Sequence, residues 1–277
     1  MKAAAGGLLT VHSEVPRAVR YLADIQRWML SQGTLAVHFE HKLDPSKPPL
    51  TPTNLLRFLE AWPIAGKNTI LSFLREIRHY KLVDELEGQD KRQTILRATD
   101  YIESLIRIYV DIHLRALDET FGGSRYALSQ MYPELLYHAQ PAMTRLLLAQ
   151  PQWRSPSDAV ALFSKVDSGS NILHELMSKA PEDCGDADKV WIGAISSTHV
   201  AENFLISQSH TARVFSRARG GGLMGWERPH NRGNCWLSSR LVQEYRYWQA
   251  VKFSMVSLAA EMAARQVLPL HPERQTS

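Results

Sequence analysis

Apolar positions recur at spacings of three and four over residues 14–41, where Val15, Val19, Leu22, Ile25, Trp28, Met29 and Leu35 share a helical face. The run Asp44-Pro45-Ser46-Lys47-Pro48-Pro49 breaks that period. Thr51-Pro52 then opens a second helix, with Thr51 as its cap and Pro52 at its first turn. Leu55, Leu56 and Leu59 form its apolar stripe, and Trp62-Pro63 with Gly66 marks a turn. A helix over 67–80 follows, burying Ile70, Phe73, Leu74 and Ile77. The period then changes. Leu82-Val83 and Thr94-Ile95-Leu96 flank the polar segment 87–92, which predicts two short strands joined by a loop. Residues 101–117 return to helical spacing, and Gly122-Gly123 ends that helix.

Residues 125–180 read as mostly helical, interrupted between Pro151 and Pro156, and 181–188 as an acidic loop. The earlier order then recurs. Residues 190–195 lead into a short helix at 198–205, a turn at Ile206-Ser207, and a helix at 208–219 stopped by Gly220-Gly221-Gly222. Segments 223–227 and 234–237 flank the polar loop 228–233, and a long helix covers 239–265. An offset of 141 residues sets Leu82-Val83 on Leu223-Met224 and Ile95-Leu96 on Trp236-Leu237. Helix, turn, helix, strand, loop, strand, long helix therefore occurs twice, a repeat of pattern rather than of identity.

Composition fits this picture. A chain of 277 residues suits two domains, and 44% hydrophobic with 22% charged residues supplies real cores and argues against global disorder. The net charge is only +4, with a pI near 9.1. Its location is more informative. Between Ser207 and Arg240 stand six arginines (213, 217, 219, 228, 232, 240) against one acid, Glu227. The corresponding segment 67–97 has seven basic residues against five acids.

The chemistry of catalysis is missing from the pattern. Cys184 and Cys235 lie 51 residues apart with no CxxC, which argues against zinc or a disulfide framework. Asp111 and His113 share a helix, but a core or solvated role suits them better than a metal. Gly220 to Gly222 lacks the lysine and Ser/Thr of a phosphate-binding loop, and no Gly-x-Ser-x-Gly elbow occurs. The expectation is a non-enzyme with no cofactor and no metal. A secretory signal and an 18-residue apolar run are also absent from the sequence, so a cytoplasmic protein without membrane spans is expected.

The second copy reads as a helix-turn-helix. Ala201 is small where two helices would cross, Ile206 is the apolar residue of the turn, and Ser207 caps the second helix. Val214 and Phe215 face its core, leaving Gln208, Ser209, His210, Arg213 and Arg217 outward. Arginine can fork onto guanine and glutamine onto adenine, so these residues suit a major groove. The loop after it holds Arg228, His230, Asn231 and Arg232, suited to a minor groove or its phosphates.

Both copies resemble the winged helix-turn-helix of the MarR (multiple antibiotic resistance regulator) family, over roughly 14–118 and 187–265. In the first copy, Asp90-Lys91-Arg92-Gln93-Thr94-Ile95 resembles the family's wing. The resemblance implies that Asp90 orients Arg92 into the minor groove beside Lys91. The second copy keeps Arg232 but has His230 where that aspartate would be. Lys67, Asn68, Thr69, Ser72 and Arg75 would face the groove from the first copy. Family members act as homodimers. Two copies on one chain would form a pseudo-dimer, alone or dimerised again, with DNA half-sites on the order of 34–36 Å apart. The resemblance also allows a small-molecule effector. The aromatic residues Trp236, Tyr245, Tyr247, Trp248 and Phe253 are core packing on the simplest reading and a pocket lining on the alternative one.

The expected fold is mainly α with small β-hairpin wings: tandem winged helix-turn-helix domains packed through long helices. The expected divisions are 1–121, a connecting 122–186, and 187–277. The expected function is sequence-specific binding of double-stranded DNA by a transcriptional regulator. A tandem winged-helix replication initiator and a protein-docking module without DNA binding share the pattern and stand as alternatives.

Overall fold

A computed structural model describes residues 2–14, 24–86, 94–184 and 187–270. Along the chain, α1 spans Lys2–Glu14, α2 Ile25–Leu43, α3 Pro52–Leu59 and α4 Lys67–His79. The strands β1 (Val83–Leu86) and β2 (Ile95–Ala98) precede α5 (Asp100–Phe121). Then come α6 (Arg125–Met131), α7 (Leu135–Ala149), α8 (Pro151–Arg154), α9 (Asp158–Ser164) and α10 (Gly169–Ser178). The strand β3 (Lys189–Ala194) leads to α11 (Ser197–Asn203) and α12 (Gln208–Gly220). Finally β4 (Met224–Arg228), β5 (Arg232–Ser238) and α13 (Ser239–Val267) follow. The described residues are mainly helical, with small antiparallel sheets that form no barrel.

The chain divides into two compact units, each discontinuous in sequence: residues 26–154 with 251–277, and residues 1–25 with 155–250. The segment expected to connect two domains at 122–186 is thus split between the units at Arg154 and Ser155. The helix α13 likewise gives its first half to one unit and its second half to the other.

In the 26–154 unit, Thr51 caps α3 as its sequence position requires, its hydroxyl accepting from the Asn54 N–H at 3.1 Å, and Pro52 occupies the first turn. The buried face of α4 is Ile70, Phe73, Leu74 and Ile77. The Leu59 side chain of α3 packs onto Gly33 of α2, where a Cβ would sit 2.9 Å from Leu59 Cδ2. The strands β1 and β2 pair antiparallel from Val83↔Ala98 to Leu86↔Ile95. Leu50 adds a single antiparallel bridge to Leu96. The segment 87–93, with the wing residues Asp90, Lys91 and Arg92, lies outside the described residues. So do Val15, Val19 and Leu22.

In the 155–250 unit the sheet has the order β3-β5-β4, all antiparallel. The strand β3 corrects the expectation that 190–195 is only a lead into a helix. Its signal is alternation: Val190 and Ile192 are buried while Lys189 and Trp191 face out. The sequence pattern did not predict α1 either; this helix packs on α10 through Ala4 and Ala5, which are buried. Beneath the sheet Cys235 is fully buried, and burial pushes its thiol up to about 12, so it serves as a small apolar residue. Both cysteines are free thiols.

The two units share one order of elements: an extended segment, two helices, an antiparallel hairpin and a long helix. In each, the extended segment pairs with the second hairpin strand, Leu50 with Leu96 and Val190 with Leu237. Leu96 and Leu237 are also related by the 141-residue offset of the sequence repeat.

Candidate nucleic-acid interface

Local chemistry builds the site in the 155–250 unit from α12 and the β4–β5 hairpin. The helix α11 ends in a tight turn. Leu205 adopts a left-handed φ of 50°, and the Ile206 N–H returns to the Ala201 carbonyl at 3.0 Å. Ser207 then starts α12, its hydroxyl accepting from the His210 N–H at 3.1 Å. Thr211, Val214, Phe215 and Ala218 are buried on the inner side of α12. Phe215 packs against Trp226 at 5.7 Å between ring centroids, and Trp226 donates from Nε1 to the Ile195 carbonyl at 3.3 Å. Fully burying a side chain of this size is worth about 1.5–3 kcal/mol, which fixes the rotation of α12 about its axis.

That rotation decides what faces solvent. Gln208, Ser209, Arg213 and Arg217 are exposed, together with Ala212 and Ser216. His210 departs from the expected outward position: it is half-buried, and its Nε2 lies 3.0 Å from the Asp167 carbonyl. Its ring is therefore engaged within the unit rather than turned outward with its neighbours.

The hairpin brings Arg228 and Arg232 face to face across its register. His230 and Asn231 make the turn, with φ of 60° and 58°. Asn231 accepts from Arg219 Nη1 at 3.2 Å, tying the hairpin tip to the end of α12. Arg213, Arg217, Arg228 and Arg232 are exposed and enter no ion pair among the described residues. Arg240, the last of the six arginines in this segment, is neutralised by Glu244 at 2.8 Å.

The 26–154 unit places its candidates differently. Lys67, Asn68, Thr69, Ser72 and Arg75 lie on α4, with Lys67, Asn68, Thr69, Ser72 and Arg75 all exposed. The helix starts at Gly66 with no side-chain cap. Beside it Arg78 pairs with Glu85, and Arg97 approaches Asp84 at 3.9 Å. On the far side Glu76 receives Arg27 at 3.2 Å. Asn68, Arg75 and Arg78, with Leu71, Leu74, Pro52, Thr94 and Leu96, line a cavity of about 420 Å³.

Of the other residues singled out from sequence, His113 and Tyr245 are buried. His113 is fully buried with Nδ1 at 2.7 Å from the Tyr109 carbonyl, and Asp111 accepts from Ser129 and Gln130. Tyr245 is buried and meets His174 Nδ1 at 2.7 Å, while Tyr247 is exposed. Among the described residues no cluster of His, Cys, Asp or Glu could hold a metal ion, and no helix is long and apolar enough to cross a membrane. No protein-family model matches the chain, and no curated protein and no solved structure matches it.

Proposed function

We propose that both units are winged helix-turn-helix units, of the kind found in the MarR family, and that the protein binds duplex DNA as a transcriptional regulator. The observation that carries this reading is the group Arg213, Arg217, Arg228 and Arg232. Four exposed guanidinium groups with no acid against them among the described residues, on one helix face and the adjoining hairpin, call for an external polyanion. In this reading α12 enters the major groove, where Gln208 and Arg213 read base edges. Ser209 and Arg217 hold phosphates, and the hairpin arginines reach the backbone or the minor groove.

The 26–154 unit contributes less to the grip. Two of its arginines near α4 are held by acids, which leaves Lys67 and Arg75 as the arginine and lysine of that helix without an acid among the described residues. The cavity beside Arg75 gives that unit a second part to play. A small carboxylate ligand seated there would compete with DNA for Arg75 and Asn68 and couple an effector to the operator.

Fluorescence anisotropy on a duplex enriched from genomic fragments tests the reading. Arg213→Ala should weaken specific binding by about tenfold or more and narrow the gap to a scrambled duplex. Arg232→Ala should weaken both duplexes to a similar degree. Unchanged affinity in both variants contradicts the proposal.

A further inference from the structure

The three-stranded sheet has a second face, and its composition differs from that of the core side. Val190, Ile192, Cys235, Leu237 and Met224 are buried, whereas the alternate positions carry Lys189, Trp191, Trp236, Asn234 and Gly225. Trp191 and Trp236 are register partners at the middle of this face. Trp236 is held from both sides. It lies over Gly225, where a Cβ would come within 2.5 Å of its ring, and Lys189 Nζ sits 4.8 Å from a ring centroid.

Trp191 is not held in this way. It is 49% exposed, and among the described residues no ring or cation stacks on it. A large aromatic ring left open to water on a rigid strand is a ready-made stacking platform. Lys189 lies two positions from Trp191 on the same side of β3, after the exposed Asp188, and is the cation nearest to it along the strand. Lys189 is in no ion pair among the described residues, and Arg232 starts the strand that pairs with β3. Glu227, the acid on the neighbouring strand, is turned to the hairpin backbone and accepts from the Asn234 N–H at 3.3 Å.

We infer that this sheet face binds single-stranded nucleic acid, with an unpaired base stacking on Trp191 and the flanking phosphates held by Lys189 and Arg232. Bases within a duplex are already stacked and offer no free ring face, so this surface selects unpaired strands. A peptide or a sugar partner would use the same ring without needing the cations. Stacking on Trp191 does not depend on duplex binding by α12, whose Gln208, Arg213 and Arg217 belong to a different element; Arg232 alone is shared with the proposed duplex grip.

The test uses the full chain and a fluorescein-labelled oligothymidylate of about 20 nucleotides, with a duplex of the same length as the control. Wild type should bind the single strand. Trp191→Ala should weaken that binding by about fivefold or more, Trp191→Phe should retain most of it, and the duplex affinity and melting temperature should stay unchanged. Absence of single-strand binding by wild type overturns the inference, as does equal binding by wild type and Trp191→Ala. Equal weakening on single strand and duplex overturns it too, because it makes Trp191 a support of the fold or of one shared surface. Arg213→Ala keeps the two claims apart: its failure to affect the duplex leaves the Trp191 result standing.

Discussion

Lys252 shows how much a single position can decide. It is buried in the 26–154 unit, with the rings of Tyr109, Trp153 and Phe253 within 5.9 Å of its Nζ. His113 stacks on both Tyr109 and Phe253 next to it. No carboxylate faces it among the described residues, and burial lowers its pKa from 10.5 to about 7. The sign of the consequence follows from proton binding. Between about pH 7 and its ordinary value the unfolded chain holds the proton and the folded chain does not, so stability rises with pH across that window. Below the folded value both states are protonated, and the cost of the buried charge is at its largest. Lys252→Met should therefore raise the melting temperature near neutral pH, by the equivalent of about 2 kcal/mol, and flatten its dependence on pH. Melts at about pH 6 and about pH 9 check this; an unchanged pH slope would show that Lys252 stays protonated in the fold. The four site arginines are visible in the sequence as a local excess of charge. Their freedom from acids is not, because ion pairs such as Arg78 with Glu85 join different elements.

At the scale of elements, the helices with a cap and a three–four period are legible in the sequence. Thr51, Ser207 and the apolar stripes of α4 and α12 act over a few turns of chain, so sequence carries them. Elements defined by a distant partner are not legible in this way. The strand β3 exists through its pairing with β5, from Lys189↔Ser238 to Ala194↔Asn234, and α1 through its packing on α10. The alternation from Lys189 to Ile192 is the available signal, but four residues of it compete poorly with the helix that follows. The engagement of His210 with the Asp167 carbonyl is hidden for the same reason, since that carbonyl belongs to the loop between α9 and α10. Ser207 offers a check on the site's scaffold. Ser207→Ala removes the acceptor for the His210 N–H and should cost about 1 kcal/mol, lowering the melting temperature of the 155–250 unit. It should also weaken duplex binding, because the first turn of α12 carries Gln208 and Ser209. Reduced stability with full binding would place the DNA-facing residues later on the helix.

For the whole molecule, the sequence repeat and the shared order of elements agree, yet the units are unequal in charge. The 155–250 unit leaves Arg213, Arg217, Arg228 and Arg232 without an ion pair among the described residues, while the 26–154 unit pairs Arg78 and Arg97 and lines a cavity with Asn68 and Arg75. The discontinuous make-up of each unit cannot be read from the sequence, because a long helix keeps its period whichever unit its two halves join. The proposed division of labour is a grip on DNA centred on α12 and the β4–β5 hairpin, with the other unit weaker on DNA and open to a ligand. Its most direct test is the salt dependence of duplex affinity, measured for wild type and for the variant Arg213→Ala, Arg217→Ala, Arg228→Ala, Arg232→Ala. Removing one arginine–phosphate pair should reduce the slope of log K against log salt by about 0.9, so the slope of the fourfold variant should be shallower by roughly 3 to 4. A slope unchanged from wild type would contradict the account, for it would mean that these four arginines do not face the DNA.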